Sequence, residues 1–268
     1  HPASLTTMMT LYIAFQAIQR GEITLDTEVK ITSNAAAEPP SKLGLRTGQT
    51  IKLRYLLRAA AVKSANDAAT AIGEAISGSE SAFSKRMNRT AAAMGMTNTT
   101  FHNANGLTQN GHMSTARDMT ILGRHVIYDY PQYYNLFSRR TADAGMKTVR
   151  HTNRRWLNSY EGGDGVKTGY TRAAGFNLVA SAERGPERII TTVFGGASTA
   201  SRNVKVTELM NLGFNRAPSR ATLKRPDMVA VALPETVQGK SQATTRTSGS
   251  ITRSLRPQMR ANLEALLA

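Results

Sequence analysis

Three short elements carry the residue types that nucleophilic chemistry needs, in a fixed order: Ser4-Leu5-Thr6-Thr7, Ser64-Ala65-Asn66 and Lys167-Thr168-Gly169. Ser4 opens an apolar run that reads as a helix, where unpaired N–H groups and the helix dipole favour negative charge. A serine hydroxyl is a weak nucleophile until a neighbouring base takes its proton. On a helix the position three residues on shares the serine's face, and here that position is Thr7. Threonine has a short side chain and is no base at neutral pH. The nucleophile is in place and its expected activator is not. Each element alone is weak: S-x-N and K-T-G triplets arise by chance in many chains, and an isolated Ser4 would read as a helix cap. Order, spacing and structural context together make the set specific.

The elements that must hold these residues follow from apolar periodicity. Residues 4–20 are apolar on most faces through Met8, Met9, Leu11, Tyr12, Ile13, Phe15 and Ile18, which predicts a buried helix stopped by Gly21. Its methionines are core. Residues 22–33 alternate enough for a short extended stretch, and 39–50 (PPSKLGLRTGQT) read as a loop. Apolar periodicity resumes over 51–64 with Leu53, Leu56 and Leu57 inward; 66–78 and 79–95 are predicted helices. Residues 96–113 are turn-rich, and Thr115 with Asp118 fits a capping box opening a helix to 129. Residues 131–138 add a short helix. Three β-type runs, 164–171, 175–183 and 187–196, are separated by turns short enough for antiparallel hairpins, and a helix over 198–214 follows. Helices first and a strand meander afterwards predict an α+β domain, an antiparallel sheet covered by helices. The domain is expected over 1–216. Residues 217–268 read as a polar linker or disorder with a short terminal helix over 257–268.

Composition sets the bounds. The 268 residues, 40% hydrophobic, suit one large domain or one domain with an appendage. Lys and Arg number 34 against 18 Asp and Glu, a formal charge of +16, which favours an anionic partner or simply a solvated basic surface. No aromatic–basic interleaving or motif points to nucleic acid. An anionic wall polymer or a peripheral contact with an acidic membrane surface explains the charge as well. Cysteine is absent, so there is no disulfide framework and no cysteine metal site; this fits a bacterial exported protein. No apolar run is long enough to span a bilayer. There is no signal peptide, and the abrupt start at His1 leads to the expectation of a preceding segment. His102, His112 and His151 lack metal-ligand spacing and read as structural.

The ordered set resembles the penicillin-recognising serine enzymes. More of the chain narrows this: HPASLT-MMT, VKSANDAA, AAAMGMTNTTFHNANGL, GHMSTARDM and DGVKTGYTRAAGFNLVASAER are similar to the low-molecular-mass D-alanyl-D-alanine carboxypeptidases of peptidase family S11, from His1 to about Arg216. The resemblance implies a β-lactamase/transpeptidase-like fold and assigns roles. Ser4 matches the acylated serine, with its own N–H as one oxyanion donor and Tyr170 as the other. Ser64 matches the residue that passes a proton to the leaving group, and Asn66 the one that holds the substrate amide. Lys167 matches the strand lysine that supports Ser64 and attracts the substrate carboxylate. Thr168 hydrogen-bonds that carboxylate beside Gly169, and Arg154 and Arg202 resemble arginines at that end of the site. The implied substrates are peptidoglycan stem peptides, with β-lactams as mimics acylating the same serine, outside the cytoplasmic membrane and without metal or organic cofactor.

Three departures stand out. The family's S-x-x-K lysine is Thr7 here: an introduced change, a natural loss leaving a binding module, or a case where another lysine substitutes, Lys167 before Lys63. The strands that the family places before this helix are absent from these 268 residues, as though a segment were missing. The residues after 216 are too few and too polar for the C-terminal β domain some relatives carry. A class A β-lactamase is disfavoured because no E-x-x-L-N-type element supplies its deacylating glutamate.

Overall fold

The computed structural model describes residues 1–218 and 223–229. Its contacts divide the chain into His1–Val231 and Ala232–Ala268; the second unit, and with it the terminal helix expected over 257–268, lies outside the described residues. A 3-10 turn, Ala3–Thr6, leads into helix α1, Thr7–Gln19, of whose 13 residues 11 are buried. An apolar surface on all sides puts a helix in the middle of a core rather than on its rim, and α1 occupies that place. Around it run β1 Glu28–Lys30, α2 Ser33–Ala37, β2 Thr50–Lys52, α3 Leu53–Arg58, α4 Asn66–Ser77, α5 Glu80–Ala93, α6 Ala116–Tyr128 and α7 Pro131–Tyr134. A two-stranded hairpin of β3 Thr141–Asp143 and β4 Thr148–Arg150 precedes α8 Arg154–Ser159. Then come β5 Gly163–Thr171, β6 Gly175–Arg184, β7 Glu187–Gly196 and α9 Thr199–Arg216.

The last three strands form an antiparallel sheet in the order β5-β6-β7. Successive strand residues face opposite sides, and β6 is buried on both. Val179 packs into the main core with α1 and α6, while Leu178, Ala180 and Ala182 pack against Trp156, Val206 and Met210 of α8 and α9. The α+β architecture read from the sequence is therefore present, with helices on both faces of the sheet. Val229 is buried in the main core, and Gln16 Nε2 donates to its carbonyl at 3.3 Å.

One local reading needs correction. Thr115 does cap α6, accepting from Asp118 N at 3.1 Å. The Asp118 carboxylate, however, does not return to the cap; it accepts from Asn98 N and Thr99 Oγ1 at 2.9 and 2.7 Å, fastening the preceding loop. The reciprocal box occurs at α9 instead, between Ser198 and Ser201. The β3–β4 hairpin and the helices α2 and α8 carry no sequence signal, because elements of three to six residues are too short for a period to repeat.

Candidate active site

Ser4 does not sit in the α-helix itself but in the 3-10 turn before it. In a 3-10 turn the side chains at i and i+3 eclipse, so Thr7, buried at the first residue of α1, stands in line with Ser4. The turn is seated from three directions. Asn177 of β6, fully buried, donates through Nδ2 to the carbonyls of His1 and Pro2 at 3.0 and 3.2 Å. His112 Nδ1 accepts from His102 N, so Nε2 carries the ring proton and donates to Thr6 Oγ1 at 2.9 Å. Burial pulls this imidazole down to about 4 and keeps it neutral. Gly169 of β5 brings its bare Cα against the turn: a Cβ there would lie 3.1 Å from Ser4 N and 2.9 Å from Pro2 O. The glycine of K-T-G is thus where strand β5 and the Ser4 turn meet.

The second motif is held as tightly. Residues 59–63 form a π turn that ends at Ser64, whose φ of 58° is left-handed. Among the described residues only Ala3 and Ser64 combine a side chain with positive φ, a conformation worth roughly 1–3 kcal/mol of strain; one precedes Ser4 and the other lies in the S-x-N element. Asn66, the first residue of α4, donates through Nδ2 to Pro39 O at 2.9 Å, and its N–H meets Ser41 O at 2.7 Å. The loop carrying Pro39 and Ser41 is fixed in turn by buried Asp67, which accepts from the N–H groups of Leu43, Gly44 and Leu45 at 2.8 to 3.0 Å. Glu38 Oε1 accepts from Thr70 Oγ1 and Asn105 Nδ2, both at 2.8 Å, tying this loop to the one bearing Gly106.

On the strand side, Lys167 pairs with Val179 across the ladder and so lies on the face that packs into the helical body. It is fully buried, and its Nζ donates to Ser64 Oγ and, at 3.1 Å, to Thr168 O. No carboxylate pairs with it among the described residues. Burial alone lowers its pKa from 10.5 to about 7, so at neutral pH the amine is shared between its charged and neutral forms. The unfolded chain then binds more protons between pH 7 and 10.5, and stability rises with pH across that window. Urea midpoints of the parent chain should climb from pH 7 to pH 10.5, and those of Lys167→Met should climb less; parallel slopes would show that Lys167 does not titrate there.

Ser4, Ser64, Asn66, Thr168, Gly169, Tyr170 and Arg202 all line one cavity of about 350 Å³. Lys167 sits behind Ser64 rather than on its wall. Thr168 Oγ1 donates to Thr152 Oγ1 at 2.7 Å. Arg202, on α9, is buried and makes hydrogen bonds to Asn203 Oδ1 and Asn177 O without an acidic partner among the described residues. Burial pulls it down to about 10, leaving it cationic at neutral pH. Arg154, exposed at the start of α8, lines a neighbouring cleft with Arg202 instead of the cavity itself. Sequence reasoning passed over Pro40 and Ser41, Gly106 and Leu107, and Thr152 as cavity walls, and Asn177 as the anchor of the Ser4 turn. Gly106, Leu107 and Asn177 lie in stretches read only as family-like, with no role of their own; the glycine in the polar run HNANGL was the available signal.

Residues 1–198 match the family model of D-alanyl-D-alanine carboxypeptidase. The chain is 37% identical to the D-alanyl-D-alanine carboxypeptidase DacF of Bacillus subtilis over 85% of its own length and 60% of that relative's. Penicillin-binding protein 5 from Haemophilus influenzae is similar in structure, with a TM-score of 0.76 at 35% identity over 80% of this chain and 64% of that one. Penicillin-binding protein D2 from Listeria monocytogenes, solved in its ampicillin-bound form, gives a TM-score of 0.71 at 32% identity, covering 79% of this chain and 86% of that one.

Proposed function

The chain belongs to the D-alanyl-D-alanine carboxypeptidase family, and from that premise we propose that Ser4 is the nucleophile of an acyl-transfer site for peptides ending in D-Ala-D-Ala. One observation carries the reading: Ser4, Ser64 with Asn66, Thr168 with Gly169, and Arg202 come from four separated stretches and face one cavity, with Lys167 hydrogen-bonded behind Ser64.

In this reading Ser4 Oγ bonds to the carbonyl carbon of the penultimate D-Ala. The Ser4 N–H and the strand at Tyr170 hold the oxygen as it gains charge, each donor contributing roughly 10²–10³ in rate. The C–N bond to the terminal D-Ala breaks, and the proton that Ser4 Oγ gives up passes through Ser64, backed by Lys167, to the departing amine. Asn66 orients the peptide amide. Thr168 and Arg202 receive the terminal carboxylate, for which the guanidinium's planar fork is suited; Arg154 supports that end from the adjoining cleft. Water then cleaves the Ser4 ester and frees the shortened peptide. β-Lactams acylate Ser4 in the same way, in keeping with the ampicillin-bound relative. The substrate places the protein outside the cytoplasmic membrane, in the periplasm or on the membrane's outer face, where the +16 charge favours contact with anionic surfaces.

Thr7 sets the rate. Without a base in line with Ser4, acylation is slow. A second reading follows from the same residue: a module that binds peptidoglycan peptides or penicillin without turnover. Incubation with a D-Ala-D-Ala peptide separates them. Slow release of D-Ala that disappears in Ser4→Ala is the expected result. Peptide binding with no release supports the binding module, and release unchanged in Ser4→Ala overturns the assignment of the nucleophile.

A further inference from the structure

A second cleft, of about 340 Å³, adjoins the cavity and shares Thr152, Thr199 and Arg202 with it. Its charged lining is all arginine: Arg150 at the end of β4, Arg154 and Arg155 in α8, and Arg202. No acidic residue lines it, and among the described residues none of Arg150, Arg154 or Arg155 pairs with a carboxylate. Four like charges around one concavity repel one another, and an anion seated among them recovers that free energy. The cleft also has a polar wall with unused bonding capacity. Asn153 is 2% exposed, and both its amide nitrogen and its amide oxygen lack a partner within the described protein. Buried amides are ordinarily paired; this one lies unpaired in the wall of the cleft. His151 in the same wall is neutral, held at about 4 by burial and by Lys167, so the cleft's charge rests on the guanidiniums.

We propose that this cleft is a second anion site that takes a phosphate-type oxyanion, the phosphoryl group of a phosphodiester or a free phosphate. A single carboxylate on Arg202, with Arg154 behind it, would leave Arg150 and Arg155 unmatched, whereas a phosphoryl group offers several acceptor oxygens to planar guanidinium forks. The cleft shares Arg202 and Arg154 with the acyl-transfer reading, but Arg150 and Arg155 take no part in that reading, and Ser4 chemistry tests it separately.

Calorimetric titration of the full chain at low ionic strength with inorganic pyrophosphate tests it. One equivalent is expected to bind, and Arg150→Gln/Arg155→Gln to weaken binding about tenfold or more. Lys30→Gln/Arg46→Gln removes the same charge elsewhere and should weaken it less than about twofold. Equal losses in the two pairs would reduce the effect to overall charge and overturn the site. So would acetate binding as tightly as pyrophosphate, because the ligand would then be a carboxylate. Displacement of pyrophosphate by poly(glycerol phosphate) would identify a polymer phosphodiester as the source, and its failure to displace a free phosphate; either supports the site. Urea midpoints of the two double variants control for folding, and Asn153→Leu, which keeps every charge and removes the amide, should also weaken pyrophosphate.

Discussion

Thr7→Lys raises the rate of fluorescent-penicillin labelling at Ser4 by roughly 10²–10⁴. The size follows from what a positioned base does for a hydroxyl nucleophile, and the position follows from the turn. Ser4 and Thr7 are three residues apart across a 3-10 turn that flows into α1, so a longer side chain at 7 rises along the serine's own side. The remaining parts are assembled: Ser64 and Asn66 across the cavity and Lys167 behind Ser64. Stopped labelling reactions read out the rate, and mass spectrometry of the labelled peptide reads out the site. Equal, fast labelling of both chains would mean that Thr7 is not a lost base. In that event Lys167, near neutrality and hydrogen-bonded to Ser64, becomes the acceptor to examine, through a rate that rises with pH around 7 and is lost in Ser64→Ala.

Gly106→Ala costs about 3 kcal/mol or more and abolishes labelling even in a chain carrying Thr7→Lys. Gly106 has a φ of +86°, and a Cβ there would fall 1.9 Å from Ala3 O and 2.9 Å from Thr6 Oγ1. The first contact is with backbone, which cannot swing aside as a side chain does. The turn holding Ser4 must move, and with it the hydroxyl. Gly48→Ala separates this clash from conformational strain: its φ is +80°, yet nothing lies within 4 Å of the added carbon. It should cost only about 1–2 kcal/mol and leave labelling intact. Urea unfolding and penicillin labelling of the two variants give the comparison. If Gly106→Ala behaves like Gly48→Ala, the contact with Ala3 does not hold the nucleophile.

Much of this was legible in residue order, for reasons that differ by element. The helix at α1 was clear because its apolar residues surround the axis, and the β5–β6–β7 meander because each strand is nine or ten residues long with short turns between. The cluster of Ser4, Ser64, Asn66 and Lys167 was legible as a resemblance, not as geometry: nothing local says that residue 167 lies beneath residue 64. Partners far apart in sequence stayed hidden. Asn177 reaches His1, and Arg86 Nη1 meets Glu22 at 2.6 Å, a pairing no spacing rule suggests. Asp118 shows the opposite failure, a correct local pattern whose carboxylate a loop then claimed. Arg154 and Arg155 read alike in the sequence; only the fold shows that both belong to the second cleft beside Arg202.

The anchoring of the Ser4 turn on Asn177 has a consequence for the order of assembly. Ser4 is among the first residues of the chain, but the amide that seats it comes from β6, 176 residues later than His1. Contacts of such separation form late, since loop closure must be met before they contribute. A collapsed chain with α1 already helical would still lack a seated Ser4 turn. If Ser4 is the nucleophile, as proposed, its labelling by penicillin would time the final step of folding, starting when these two distant stretches of the chain have met.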